Sequence, residues 1–445
     1  MHFRLRASAL FVCAGLLFGA LLYSPETLAQ MAPPQPAPFY SFIQSVQNAA
    51  PATYIGHPES RVSNAVEFER MRRHILEMYR DTRVINSFVL DGHYFDCIEV
   101  GEQPSARILG LKQIASPPPP LPGPAGSVSR PPAPQVGSEQ KADEFGDSIG
   151  CTPGTIPMRR ITLEDLSRFE TLEKFFQKGP DGAGEFGSIS PYVVATHKYA
   201  HSYQNVTNYG GSNTLNLWNP PIDTAKTQVF SLSQHWFVNF LPPGPPKGAV
   251  QTVEGGWQAY PKLYGNSIAV LFIYWTADGY DKTGCYNLSC AAFVQTNNTV
   301  FLGHGWPKYS VAGGNQYEFQ LVWYLYGGNW WLAYGINNWV GYYPGDIYKA
   351  GPLTKEAVEI DFGGETVGTT SWPPMGGGSF ADTGFKHAAY QRNIWYIDDK
   401  AGGAKWPTLT RSQPSPNCYT DENFNNSATA WVTYFYFGGP GGGGC

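Results

Sequence analysis

Apolar positions along this chain recur at two spacings, and the change between them falls near residue 190. From there to the end they alternate with polar residues in short runs divided by Gly, Asn, Pro and Asp. Phe230, Leu232, Gln234, Trp236 and Val238 share one face of a predicted strand, and Leu271, Ile273 and Trp275 share a face of another. Phe319, Leu321, Trp323 and Leu325 lead through Gly327-Gly328 into Trp330-Trp331-Leu332, which reads as a hairpin. Trp431, Thr433, Phe435 and Phe437 make a late strand. Many short strands with almost no helix predict an antiparallel β-sandwich or barrel. Aromatics on both faces of several strands point to one core face and one groove-lining face.

The first part of the chain reads differently. Ser63 to Arg83 is the best helix, capped by Ser63 or Asn64, with Val66, Phe68, Met71, Ile75, Met78 and Tyr79 near helical spacing. Ser87 to Ile98 reads as a strand, an Asp91-Gly92 turn and a second strand. A short helix is expected near Leu163–Phe176. Residues 30 to about 62 read as loose. Residues 115–150 form a Pro-rich segment, with nine prolines among the 18 positions from Pro117 to Pro134, and predict a stiff, extended, solvated linker. The organisation is therefore mainly β: a small α+β module over 30–185, then a β-sandwich domain over 190–445.

Composition narrows the classes. With 50 Gly and 37 Pro in 445 residues, a helical bundle is excluded. Charged and aromatic residues at 15% each exclude disorder over the whole chain. Thirty Lys+Arg against 35 Asp+Glu give a net charge of −5 and no basic patch, which argues against a nucleic-acid partner. Arg4 and Arg6, the apolar Leu10–Leu22 and Thr27-Leu28-Ala29 read as a cleaved leader over 1–29. Leu10–Leu22 is short for a membrane span, so the mature protein is expected to be exported and free of the membrane.

Seven cysteines are present, and Cys13 would leave with the leader. The six that remain suit an exported disulfide framework. Order along the chain favours Cys97–Cys151, Cys285–Cys290 and Cys418–Cys445. The Cys285/Cys290 pair lacks a second ligand pair nearby, so half a zinc site is the weaker reading.

Candidate chemistry then reduces to carboxylates. His197 and His201 share one face of a strand but have no third ligand at useful spacing, and read as a satisfied structural pair; no metal is expected. There is no G-x-S-x-G elbow, and the six cysteines are expected to be bridged. Glu254, in Val253-Glu254-Gly255-Gly256-Trp257, and Glu365, in Phe362-Gly363-Gly364-Glu365-Thr366, are each embedded in strand-like sequence beside a glycine pair. Paired glycines would let a ligand backbone approach the sheet. Spacing alone favours each being a lone surface or strand-end acid.

At these residues the chain resembles the neprosin family of secreted glutamic endopeptidases. The resemblance rests on Leu217-Trp218-Asn219-Pro220, Phe230-Ser231-Leu232-Ser233-Gln234, Glu254-Gly255-Gly256-Trp257-Gln258 with Tyr260-Pro261, and Tyr274 through Tyr280. Thr283 to Leu288 with Cys290, Val340 to Pro344, and Phe362 to Glu365 continue it. Asp91-Gly92 through Ile98, Gln103-Pro104 and Gly154 through Arg160 resemble the family's propeptide. The long Pro-rich insert, Ala291-Ala292 and the Gly-rich tail depart from the family pattern.

The resemblance implies a β-sandwich of two antiparallel sheets and catalytic glutamates at Glu254 and Glu365. It also implies a zymogen that processes itself in acid, and cleavage after proline. A water-activating pair of carboxylates would share one proton, with Glu365 favoured as base and no cofactor. Gln258 and Tyr260 are candidate oxyanion donors, and Trp257, Tyr264 and Trp331 candidate walls for the substrate. Processing is expected near 178–192, at Pro180. The expected partners are a peptide or protein substrate and the chain's own propeptide as inhibitor, in a monomer. Two other readings stay open: a glycoside hydrolase with two carboxylates, and a carbohydrate-binding module without catalysis.

Overall fold

The computed structural model describes residues 38–124, 142–179, 196–244, 249–426 and 431–445. All the described residues fall in one compact unit, Ala37–Cys445. The expected leader and Pro180 lie outside the described residues.

Within Ala37–Cys445 the helices are α1 Phe39–Asn48, α2 Pro51–Tyr54, α3 Ala65–Met78, α4 Pro104–Ile108, α5 Leu163–Ser167, α6 Leu172–Phe176 and α7 Pro261–Tyr264. α3 starts where the side chain of Asn64 accepts from Glu67 N at 3.0 Å. Phe68, Met71, Ile75 and Met78 form its buried stripe. From residue 38 on, the segment expected to be loose is helical: α1 buries Phe42 and Val46, and its Phe39 and Phe42 rings meet Tyr79 at 5.3 and 5.9 Å. The apolar i, i+3, i+4, i+7 set of Phe39, Phe42, Ile43 and Val46 supplies the face that composition obscures. The helix expected near Leu163–Phe176 is two short helices, each opened by a threonine cap.

Three antiparallel sheets accompany the helices. The small one pairs β1 Val84–Leu90, β2 His93–Glu99 and β3 Thr155–Arg159 in that order. Asp91 (φ 54°) and Gly92 (φ 75°) form its two-residue hairpin loop, whose left-handed positions suit this dipeptide. Cys97 on β2 is bonded to Cys151 just before β3.

The sandwich is built from the remaining strands. In chain order these are β4 Thr196–Asn208, β5 Gly210–Asn216, β6 Gln228–Phe240, β7 Val250–Ala259, β8 Ala269–Thr276 and β9 Val294–Gln295. They continue as β10 Glu318–Tyr326, β11 Asn329–Tyr334, β12 Trp339–Pro344, β13 Ala357–Gly368, β14 Ala389–Ile397 and β15 Ala404–Lys405. β16 Thr410–Ser412, β17 Thr420–Asn426 and β18 Val432–Gly438 complete the set. One sheet has the order β16-β4-β13-β6-β7-β8; the other runs β17-β18-β14-β5-β10-β11-β12-β9, with β15 on β14.

Between these sheets lies the main core. Trp257 Nε1 donates across it to Asn216 O at 2.8 Å, Phe237 stacks on Trp330 at 6.0 Å, and Gln391 Nε2 donates to Ser233 Oγ at 2.9 Å. One glycine of each pair, Gly255 and Gly364, serves this packing. A Cβ on Gly255 would stand 3.2 Å from Trp323 Nε1, and one on Gly364 2.5 Å from Met375 Sδ, both between the sheets. A Cβ on Gly363 would meet Ala200 O on β4 at 2.5 Å. The strands lie too close for any side chain there.

The Pro-rich segment departs from the expected solvated linker where it is described. Its first part is extended but docked. Ala115 N donates to Tyr342 OH at 3.0 Å, Leu121 N to Asn337 Oδ1 at 2.9 Å, and Leu121 is buried against Val322, Tyr324 and Trp395. The outer face of the nine-stranded sheet is apolar enough there to hold it.

Candidate active site

β13 pairs with β6, and β6 with β7. Glu365 stands opposite Leu232 on β6, and Glu254 stands opposite Trp236. Strand alternation turns both glutamates to the same face, away from the inter-sheet core. They are 0% exposed.

A single ammonium group joins them. Lys178 Nζ, two residues beyond α6, lies 2.5 Å from Glu254 Oε2 and 2.8 Å from Glu365 Oε2. The carboxylates that are remote in the chain therefore converge on one atom. Each is also held from its other oxygen. Thr252 Oγ1 and Tyr280 OH both donate to Glu254 Oε1 at 2.7 Å. The His197 ring nitrogen Nδ1 lies 2.5 Å from Glu365 Oε1, and Tyr199 OH donates to the same oxygen at 3.3 Å. Gln234 sits between the two acids, its Nε2 3.4 Å from Glu365 Oε2 and its Oε1 accepting from Lys178 at 3.3 Å.

The electrostatics follow from this cluster. Burial by itself would raise the Glu365 carboxyl; the Lys178 ammonium and then the His197 ring outweigh it and bring it down to about 2. Burial works against the Lys178 ammonium too, but Glu254 and then Glu365 raise it above its ordinary value. Burial and then Glu254 push the Tyr280 phenol well above its usual range, so it stays a donor.

Beside Glu365 a cavity of about 620 Å³ opens, walled by Tyr199, His201, Tyr203, Trp236 and Phe240, with Glu359 at its side. His201 is stacked on Trp236 at 5.8 Å and bonded to Asp361 at 2.7 Å. Burial first, and then Asp361, raise Glu359 to about 8, so it is a neutral acid below that pH.

Other candidate residues lie elsewhere. Trp257 points into the inter-sheet core, because odd and even positions of β7 face opposite sides. Trp331 belongs to the other sheet, against Tyr342 at 4.6 Å and near Leu111 and Ala115. Gln258 and Tyr264 bond each other at 3.0 Å beneath the first module, whose Arg159 donates to Tyr264 O at 3.3 Å and Arg168 to Lys262 O at 2.7 Å. Tyr260 packs on Phe230 at 5.4 Å and is buried. The six cysteines form the pairs 97–151, 285–290 and 418–445. Among the described residues no group of three or more His, Cys, Asp or Glu is placed to hold a metal ion.

Sequence reasoning missed Lys178, His197, Tyr199, Tyr280 and Gln234 as members of the cluster. A signal existed for two of them: the even spacing of His197, Tyr199 and His201 sets all three on the carboxylate face of β4. The two histidines are not one pair; each meets its own carboxylate on β13, His197 at Glu365 and His201 at Asp361.

Two solved structures are similar at a distance. Scytalido-glutamic peptidase with a transition state analog inhibitor is 6% identical, with a TM-score of 0.30, covering 55% of this chain and 98% of that one. The same enzyme with a peptide based transition state analog is 7% identical, with a TM-score of 0.27 and the same coverage. Scores this low carry no argument about this chain. The family match is of a different kind. Residues 227–440, which hold both glutamates and five of the six strands of their sheet, match the model of the Neprosin family.

Proposed function

We propose that this chain is an exported glutamic endopeptidase made as a zymogen, in which Glu254 and Glu365 activate water against a peptide bond. One observation carries the reading: two buried carboxylates from non-adjacent strands are bonded by one ammonium from the N-terminal module. Carboxylates this close cannot both stay ionised without a counter-charge. With Lys178 in place they are neutralised and blocked; with it gone they share a proton.

In the open form the ionised member takes a proton from water, and the oxygen attacks the scissile carbonyl carbon. The protonated member gives its proton to the amide nitrogen as the C–N bond breaks. Glu365 is the base and Glu254 the acid. Tyr199 OH and the Gln234 amide, which reach the dyad, take the donor role expected of Gln258 and Tyr260. The flat rings of Tyr199, Tyr203 and Trp236 along the cavity suit a proline-containing peptide. The module over 30–185 is the inhibitor, and the connector that follows Gly179 is where the chain is cut.

The test is digestion of denatured casein at pH 3 by acid-treated wild type, Glu254→Gln and Glu365→Gln, with fragments read by mass spectrometry. Peptides are expected from wild type, falling by about 10²–10⁴-fold in each variant. Undiminished fragments from either variant, or reducing sugar released from polysaccharide in place of peptides, would overturn the proposal.

A further inference from the structure

We infer that His197 is a positioning residue for Glu365: its ring holds that carboxylate ionised and oriented once Lys178 has left, and so marks Glu365 as the base. The inference deepens the peptidase reading and rests on it.

His197 lies on β4 directly across from Val367 of β13, two positions along from Glu365, so its ring reaches Glu365 on the same face. Nδ1 is 2.5 Å from Oε1, while Lys178 holds Oε2. Lys178 and the His197 ring approach Glu365 through different oxygens, and only the ring belongs to the sandwich. Removal of the N-terminal module takes Lys178 away and leaves the ring in place.

The other ring nitrogen gives the second observation. Nε2 of His197 is buried and has no hydrogen-bond partner among the described residues. What covers it is Gly179, at which a Cβ would stand 3.3 Å from Nε2. The segment that plugs the dyad with Lys178 thus also lids the ring with the next residue. Its departure opens Nε2 to the cleft at the place where a substrate backbone would lie.

The groups facing the ring are few. Glu365 comes from β13 and Lys178 with Gly179 from the N-terminal segment. Tyr199 flanks it on its own strand at 6.3 Å, and Phe230 on β6 stands edge-on at 6.1 Å. With Lys178 gone, Glu365 is the charged partner of the ring. An opposite charge at this distance moves a carboxyl by about one to three pH units.

The experiment uses the full-length chain, matured in acid, as wild type and as His197→Asn. Asn keeps an amide donor near the position of Nδ1 and removes the charge. The acidic limb of kcat/KM against pH on a quenched peptide should move up by about one pH unit or more in His197→Asn. Activity near pH 3 should then drop about tenfold and largely recover at higher pH. An even loss at every pH would show a merely structural ring and overturn the inference. If His197→Asn does not fold, His197→Gln is carried through the same profile, and an unmoved acidic limb overturns the inference. Absence of peptide hydrolysis by wild type at any pH would sink the peptidase reading instead.

Discussion

Lys178 satisfies two buried carboxylates at once, and on the proposed zymogen reading it is the residue to test first. Removing one partner of such a buried group costs about 3–5 kcal/mol, because a charge is left uncompensated. Lys178→Met should therefore weaken the closed state by that order and convert to the mature form at less acidic pH than wild type, as followed on gels. Unchanged conversion would mean that latency resides elsewhere. The pH dependence has a definite sign. Glu365 is held below its ordinary 4.5, at about 2. Its contribution to the closed form is complete above 4.5 and is lost as pH falls toward 2. The motif around Glu365 was legible in the chain; the lysine was not. A single lysine between a short helix and a Gly-Pro step has no periodicity to mark it. Its role exists only because the path after α6 ends over the sheet.

At the scale of elements, α3 and β2 hold the module against the sandwich through His74 on Ser289 and His93 on Asn266. His74 on α3 has Nε2 2.9 Å from Ser289 O, and burial lowers it to about 4 despite that bond. His93 on β2 is also lowered to about 4, by burial and then by Arg159. Both rings are neutral when docked, so docking is undiminished above about 6.5 and declines as pH falls through 6.5 to 4. Asp165 on α5 acts inside the module, bonded to Arg159 and Arg168. Burial would raise it, but Arg159 and Arg168 bring it to about 2, and its support fades from 3.8 toward that value. His74→Gln should flatten the pH dependence of docking between 6.5 and 4, by up to about 1.4 kcal/mol per pH unit, and shift conversion to lower pH. An unshifted conversion curve would exclude His74 as a sensor. Asn64→Ala should cost about 1 kcal/mol in chemical unfolding, since it removes the cap on α3. That helix was readable because cap and stripe agree. α1 was not, because prolines and alanines around it hid a four-residue apolar face that becomes visible only against Tyr79.

For the whole molecule the decisive feature is two sheets stacked so that one face of the six-stranded sheet is left for the site. The C-terminal tail closes the sandwich. Met375 N donates to Gly439 O at 3.0 Å, Trp372 bridges Gly442, and Cys445 is bonded to Cys418, 27 residues back. Cys445→Ser, with Cys418→Ser to avoid a free thiol, should lower stability by about 3 kcal/mol, seen as a lower melting temperature with the fold retained. A melting temperature equal to wild type would show that backbone pairing alone holds the tail.

By itself the sequence determined the local things: the strand runs with their two faces, the Asp91-Gly92 hairpin, the stripe of α3, the neighbouring cysteines, and two glutamates in strand context. Alternation and capping act within a few residues, so they are written in short windows. Only the tertiary structure decided that β6 lies between β7 and β13, that Gln234 and Lys178 stand between the two acids, and that Trp257 and Trp331 face away. Those outcomes depend on which distant strands pair and in which register. A shift of one residue in that pairing would have turned either glutamate into the core.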